Sequence, residues 1–340
     1  MVTKIRRIAL AGVLAALAAP AAAAPLSDYS SLIVFGDSLS DPGNLFAQAG
    51  VPGFPYFDGR FSSGPVWAEY ATDDFAVSGN FAFGGARATT DADGIPDFAL
   101  QRDFYEASGL RGVQGDDPLA AIWFGANDLF GALASGDGGV VFTSITNAVA
   151  SISEGILDLA TNSGITDFVV FNLPDLGLTP LYNKVFPTAS GAATDATDLF
   201  NFLLGNAVTG LDALPDLDVT LFDVNALFDE LVANPEAFGV GNAEDPCNYI
   251  SSNPAVQAAA ASAAAAAGDP ILCSGDEVQD RAFFDLVHPN GQVHAELARR
   301  FGAEVETTPV PLPAGLPLLA FGLGSLFLAG RRPMRGRVAG

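Results

Sequence analysis

Short apolar runs without polar alternation recur along the chain. SLIVFG (31–36), LAAIWFG (119–125), TDFVVFNL (166–173) and LDVTLFDV (217–224) are rich in β-branched and aromatic residues and are apolar at successive positions. A strand with one wet face alternates, whereas a strand covered on both faces does not. These runs therefore predict parallel strands buried between helical layers. DFAVSGNFAFGGA (74–86) predicts a further strand that ends in a Gly84-Gly85 turn. Helical patterning falls at 144–162, 196–211 and 290–301, the last following His288-Pro289-Asn290. Strand and helix alternating at this spacing predict a doubly wound α/β sandwich.

Two stretches break this rhythm. Residues 87–117, rich in Asp and Gly, are expected to wander over the active face. Within them DADGIPD (91–97) lacks the ligand spacing of an EF-hand. Residues 241–280 contain AVQAAAASAAAAAG, expected to be an exposed helix or a flexible insertion without chemistry of its own.

The ends follow different rules from the middle. Lys4, Arg6 and Arg7 precede an apolar run from Ile8 to Ala19, and small residues follow from Ala21 to Ala24. That order predicts a signal peptide over residues 1–23, cut after Ala23. A membrane anchor is the alternative reading, but the run is short for a span. Val310–Gly330 is an uncharged stretch of 21 residues followed by Arg331, Arg332, Arg335 and Arg337. It is long enough to cross a bilayer with the arginines on the cytoplasmic side. Together, residues 310–340 resemble the tripartite C-terminal sorting signals of Gram-negative bacteria, in the VPLPA variant of the PEP-CTERM class. This resemblance implies a sorting protease and an exported protein of the cell envelope or the exterior. An ordinary C-terminal anchor is the alternative. One large domain over 28–305 is expected between the ends.

Seven of the fifteen basic residues lie in the two ends, which leaves eight against 39 acidic side chains and a net charge of −31 in the middle. Such a surface repels a phosphate backbone, so nucleic acid is excluded as a partner, and it suits solubility at high ionic strength. The two cysteines, Cys247 and Cys273, lie in one irregular region of a chain expected to be exported, which favours a disulfide over a metal site.

Polar residues gather where the predicted strands end, the edge at which doubly wound sheets collect ligands. Ser38 follows the first strand, Gly84-Gly85 the second, and Asn127 the third in GAND, while Asp285 and His288 stand just before the last helix. Acyl transfer needs a nucleophile, a base, an orienting carboxylate and donors for an oxyanion. With two histidines in the chain, the base is His288 or His294. His294 falls within the predicted last helix, where a surface imidazole is unremarkable. His288 lies in a loop, and Asp285-x-x-His288 lets one turn bring the carboxylate to Nδ1. Asn127, Gly85 and the Ser38 amide are candidate oxyanion donors. The bland readings are a helix N-cap for Asn127 and an ordinary turn for Gly84-Gly85. No metal is expected, because two histidines are a poor ligand supply.

FGDSLSD, NFAFGGA, GAND and DLVHP, in this order, resemble the four blocks of the GDSL, or SGNH, hydrolases. FGDSLSDPGN, GRFSSGPVWAEY, IWFGANDLF and VVFNLPDLGLTP are more closely similar to the branch of secreted lipases, esterases and phospholipases that includes the thermolabile haemolysins. The resemblance runs from about Leu32 to Arg300. It implies a flavodoxin-like three-layer αβα sandwich with a central parallel sheet, and ester hydrolysis by Ser38, His288 and Asp285 through an acyl-enzyme without a cofactor. It maps the oxyanion hole onto Ser38, Gly85 (or the adjacent Gly84) and Asn127. Pro42 stands where related members often carry Thr, and the G-x-S-x-G elbow of other lipases is absent. Phe46, Phe54, Tyr56, Phe57 and Trp67 either line an acyl pocket or pack the core. An acyl ester, lipid or acylated carbohydrate, is the expected substrate. Acyl transfer, polysaccharide deacetylation and a binding protein that has lost its chemistry are the alternatives.

Overall fold

β1 (Ser31–Gly36) is buried at every position, as an apolar run without alternation requires. A computed structural model describes residues 29–307, and the expected signal peptide (1–23) and the sorting segment (310–340) lie outside the described residues. After β1 come α1 (Asn44–Ala49), α2 (Trp67–Thr72), β2 (Ser78–Asn80), α3 (Phe98–Ser108), β3 (Pro118–Trp123), α4 (Ala126–Leu133) and α5 (Gly138–Asp158). The chain continues through β4 (Asp167–Phe171), α6 (Ser190–Asp212), β5 (Asp218–Phe222), α7 (Val224–Ala233) and β6 (Asn242–Pro246). It closes with α8 (Pro254–Ala267), α9 (Glu277–Asp280), β7 (Arg281–Phe283) and α10 (Gly291–Thr307).

Five strands form one parallel sheet in the order β2-β1-β3-β4-β5, the flavodoxin-like order, and β6 and β7 form a separate parallel pair. Register sorts the side chains into two faces. Phe35, Ile122, Val170 and Leu221 are aligned across the sheet, as are Gly36 with Trp123 and Phe171 with Phe222. On one side Trp67 of α2 and Phe301 of α10 pack against Phe171, with ring centroids 4.6 and 5.7 Å away. On the other, Phe98 and Tyr105 of α3 meet Phe35 edge-on. Helices therefore cover both faces, which makes the fold a three-layer αβα sandwich.

Two expectations are corrected, and of the two readings of the alanine run the exposed helix is the one found. Strand β2 is shorter than 74–86, although the Phe81 and Phe83 amides still donate to the Val34 and Gly36 carbonyls as the chain leaves the ladder. Residues 87–117 do not simply wander. They contain α3, whose buried Phe98, Gln101 and Tyr105 make it a core helix. The alanine run forms α8, and its Ala260 and Ala264 build a satellite core with Tyr249 and Leu286. The small side chains let that helix lie close to its neighbours.

Candidate active site

Ser38 comes to the carboxyl edge because β1 stops abruptly. The Gly36 backbone is clamped by Gln101 of α3, whose Oε1 accepts from the Gly36 amide (3.0 Å) while its Nε2 donates to the Gly36 carbonyl (2.8 Å). A Cβ at Gly36 would stand 2.9 Å from Ser40 Oγ and 3.1 Å from the Trp123 carbonyl oxygen, so the tight turn needs glycine. Asp37 then accepts from the Leu39 amide at 3.0 Å, and the Ser40 amide donates back to the Asp37 carbonyl. Asp41 fastens the turn to a second strand end. Its carboxylate accepts from the amides of Gly43, Asn44 and Leu45 and, at 2.8 Å, from Gly84. Asn44 Nδ2 and Asn80 Nδ2 add bonds between the two segments.

Asp285 and His288 are presented by a loop closed on both flanks. The Phe284 amide donates to the His288 carbonyl at 2.8 Å, and the Asn290 amide to the Ala282 carbonyl at 2.7 Å. Inside the loop, Asp285 Oδ1 accepts from the Val287 and His288 amides. Asp285 Oδ2 lies 2.7 Å from His288 Nδ1, and His288 Nε2 lies 2.8 Å from Ser38 Oγ, 250 positions away in sequence. A carboxylate at Nδ1 holds the proton on that nitrogen and leaves Nε2 free to accept from the serine hydroxyl. Burial alone would raise the Asp285 carboxyl. The charge of His288 and hydrogen bonds from His288, Tyr56 and the Val287 amide outweigh it and hold the group below the usual range. Phe61 lies against the imidazole with ring centroids 5.1 Å apart.

The helix-cap reading of Asn127 does not hold. Gly125 occupies the N-cap of α4, and Asn127 lies in its first turn. Asn127 Nδ2 donates to the Ala86 carbonyl at 2.9 Å and approaches Asp37 Oδ2 at 3.4 Å. Burial pushes the Asp37 carboxyl up to about 7, against the lowering effect of the Leu39 amide and the His288 charge. Gly85 has φ +84°, a left-handed conformation that favours glycine. The Gly84 amide is already taken up by Asp41, which distinguishes the two adjacent glycines.

His294 is not at the surface. It is fully buried, and its Nδ1 accepts from the Trp67 amide at 3.3 Å, so it ties α10 to α2. Burial, with the charge of His288, lowers its basicity to a pKa of about 3.

The aromatic stretch after the nucleophile divides. Trp67 is core, Phe54 and Tyr56 line a cavity of about 680 Å3 that also touches Ser38, Asn127 and His288, and Phe46 and Phe57 are partly exposed. Tyr56 has a second contact that its sequence position does not announce. Its hydroxyl donates at 2.6 Å to Asp285 Oδ2, the oxygen that faces His288. Cys247 and Cys273 are disulfide-bonded, with Cα atoms 5.1 Å apart. Among the described residues, no group of three or more His, Cys, Asp or Glu side chains has the arrangement of a metal site.

A parallel α/β sheet with a serine, an imidazole and a carboxylate aligned at its carboxyl edge is an architecture of carboxylic ester hydrolases. The chain belongs to the GDSL-like lipase/acylhydrolase family, whose sequence model matches residues 32–301. It is 29% identical to phosphatidylcholine-sterol acyltransferase of Aeromonas hydrophila, over a match covering 82% of this chain and 91% of that protein. Identity to the thermolabile hemolysin of Vibrio parahaemolyticus is 26%, covering 80% of this chain and 62% of that protein. Among solved structures, Axe2, an acetylxylan esterase from Geobacillus stearothermophilus, is similar with a TM-score of 0.43 and 14% identity, covering 84% of this chain and 97% of that one.

Proposed function

We propose that the protein is an exported serine ester hydrolase that cleaves acyl esters through an acyl-enzyme. The unbroken chain from Asp285 through His288 to Ser38, with contacts of 2.7 and 2.8 Å, is the observation that carries this reading. Ser38 Oγ attacks the acyl carbon while His288 Nε2 takes its proton, and Asp285 stabilises the resulting imidazolium. The oxyanion is met by the Ser38 and Gly85 amides and by Asn127 Nδ2, which exchanges its long 3.4 Å contact with Asp37 for the oxyanion and keeps its bond to the Ala86 carbonyl. His288 then returns the proton to the leaving alcohol, and water, activated by the same imidazole, releases the acid. The prior engagement of the Gly84 amide by Asp41 favours Gly85 as the donor.

Acyl transfer uses the same acyl-enzyme with an alcohol in place of water. It is supported by the similarity to a protein named as an acyltransferase, and an added alcohol that outcompetes water would reveal it. Export is supported by the pattern of residues 1–23 and by the disulfide, which suits an oxidising compartment. Residues 310–340 would hold the chain at the envelope until a sorting protease acts.

The test is hydrolysis of p-nitrophenyl esters by the full chain beside Ser38→Ala and His288→Ala. Each variant is expected to lose at least about 10³-fold in kcat/KM, because the residues act as one unit. Activity surviving in Ser38→Ala contradicts the mechanism. A parent inert on every ester favours a binding protein on the same fold.

A further inference from the structure

The cavity beside Ser38 has a wall that the catalytic sheet does not supply. Ile250, Val256 and Leu272 line it from the segment between the two cysteines, together with Phe130 of α4 and Leu176 and Leu181 of the segment after β4. That segment is built to hold its shape. The disulfide joins its ends, the Cys273 amide donates to the Cys247 carbonyl at 3.0 Å, and the Tyr249 amide donates to the Ile271 carbonyl at 2.9 Å. Ile250 and Leu272 are thereby held at adjoining ends of one closed loop. The Cys247 and Asn248 amides bind the Phe283 and Phe284 carbonyls, so the loop is anchored immediately before Asp285. Its satellite core of Tyr249, Ala260 and Ala264 rests on Leu286, between Asp285 and His288.

We infer that this disulfide-closed segment is the acyl-chain gauge of the enzyme, and that the acid part of the substrate is a fatty acyl chain rather than acetyl. The inference rests on the ester-hydrolase reading and adds to it the substrate class and the residues that set it. An acetyl group would leave most of a cavity of about 680 Å3 unfilled. The walls named above are hydrocarbon, which solvates a methylene chain and offers little to sugar hydroxyls. The apolar lining also continues to solvent, since Phe54, Val51 and Leu272 line the cavity while being 91%, 46% and 40% exposed. Apolar residues therefore reach the mouth as well as the interior, beside the polar Thr179, Ser251 and Ser252.

The experiment is a series of p-nitrophenyl esters from acetate to hexadecanoate, presented to the full chain in the same detergent micelles. In the parent, kcat/KM is expected to be at least about tenfold higher on the preferred long-chain ester than on acetate. Leu272→Trp should cut the longest esters at least about tenfold more than it cuts acetate. Ile250→Ala, which widens the cavity and does not depend on fitting an indole, should move the preferred length upward. A parent that prefers acetate, or variants that scale every ester equally, overturns the gauge while leaving the hydrolase reading intact. A parent that hydrolyses no ester overturns both.

Discussion

Tyr56 and Asp285 are 229 positions apart, yet the phenol donates to the carboxylate oxygen that faces His288. Burial first, then the Asp285 charge, pushes the Tyr56 hydroxyl well above its ordinary ionisation, so it remains a donor. Its donation draws charge from Asp285 and holds the carboxylate in place. Tyr56→Phe is expected to lower kcat/KM by about tenfold, because Asp285 loses a bond that holds it in line with His288 Nδ1. The acid limb of the pH–rate profile should move to higher pH, because a carboxylate that no longer shares its charge stabilises imidazolium more. A profile that keeps its shape at reduced height would mean that the tyrosine only packs. Ser38, Asp285 and His288 stand in local patterns, a strand end and an Asp-x-x-His, which is why residues so far apart were legible as candidates. Tyr56 sits among Phe46, Phe54, Phe57 and Trp67 in a stretch without period, and nothing local separates the core ring from the ring that reaches the carboxylate. His294 misled for a related reason: a helical position alone does not say which face is buried.

Elements differ in how much of their role is local. β1, β3 and β4 are readable because central strands buried on both sides must be apolar throughout, and β5, a half-buried edge strand, is readable from its β-branched and aromatic residues. β2 is not, since it lies at the sheet edge and keeps three ladder residues before the chain turns toward Gly84. Helix α3 was hidden by its Asp- and Gly-rich flanks, and its pattern of Phe98, Gln101 and Tyr105 includes a polar residue that is buried only because it clamps Gly36. The alanine-rich helix gave no sign of its place at the cavity, because alanine packs wherever neighbours approach closely. Its segment is closed by the disulfide and tied down by backbone bonds and the satellite core. Replacing both cysteines (Cys247→Ser with Cys273→Ser) is expected to cost about 3 kcal/mol, read as a fall in the urea midpoint of the oxidised protein. An unchanged midpoint would mean that backbone bonding and the satellite core alone fix the segment.

At the scale of the whole molecule, sheet topology brings the candidate site together. The order β2-β1-β3-β4-β5 sets the end of β1 between the ends of β2 and β3, from which the Gly85 turn and Asn127 follow, and the loop after β7 delivers His288. The middle of the chain is strongly acidic, which disfavours an anionic polymer as a partner. The central claim is that Ser38 forms a covalent bond to the group it attacks. Treating the full chain with a fluorophosphonate and mapping the adduct by peptide mass spectrometry tests that claim most directly, because only an activated serine displaces fluoride from phosphorus at a useful rate. The account predicts one adduct per chain, on Ser38, formed far more slowly in His288→Ala. An unlabelled protein, or an adduct on another serine, would contradict it.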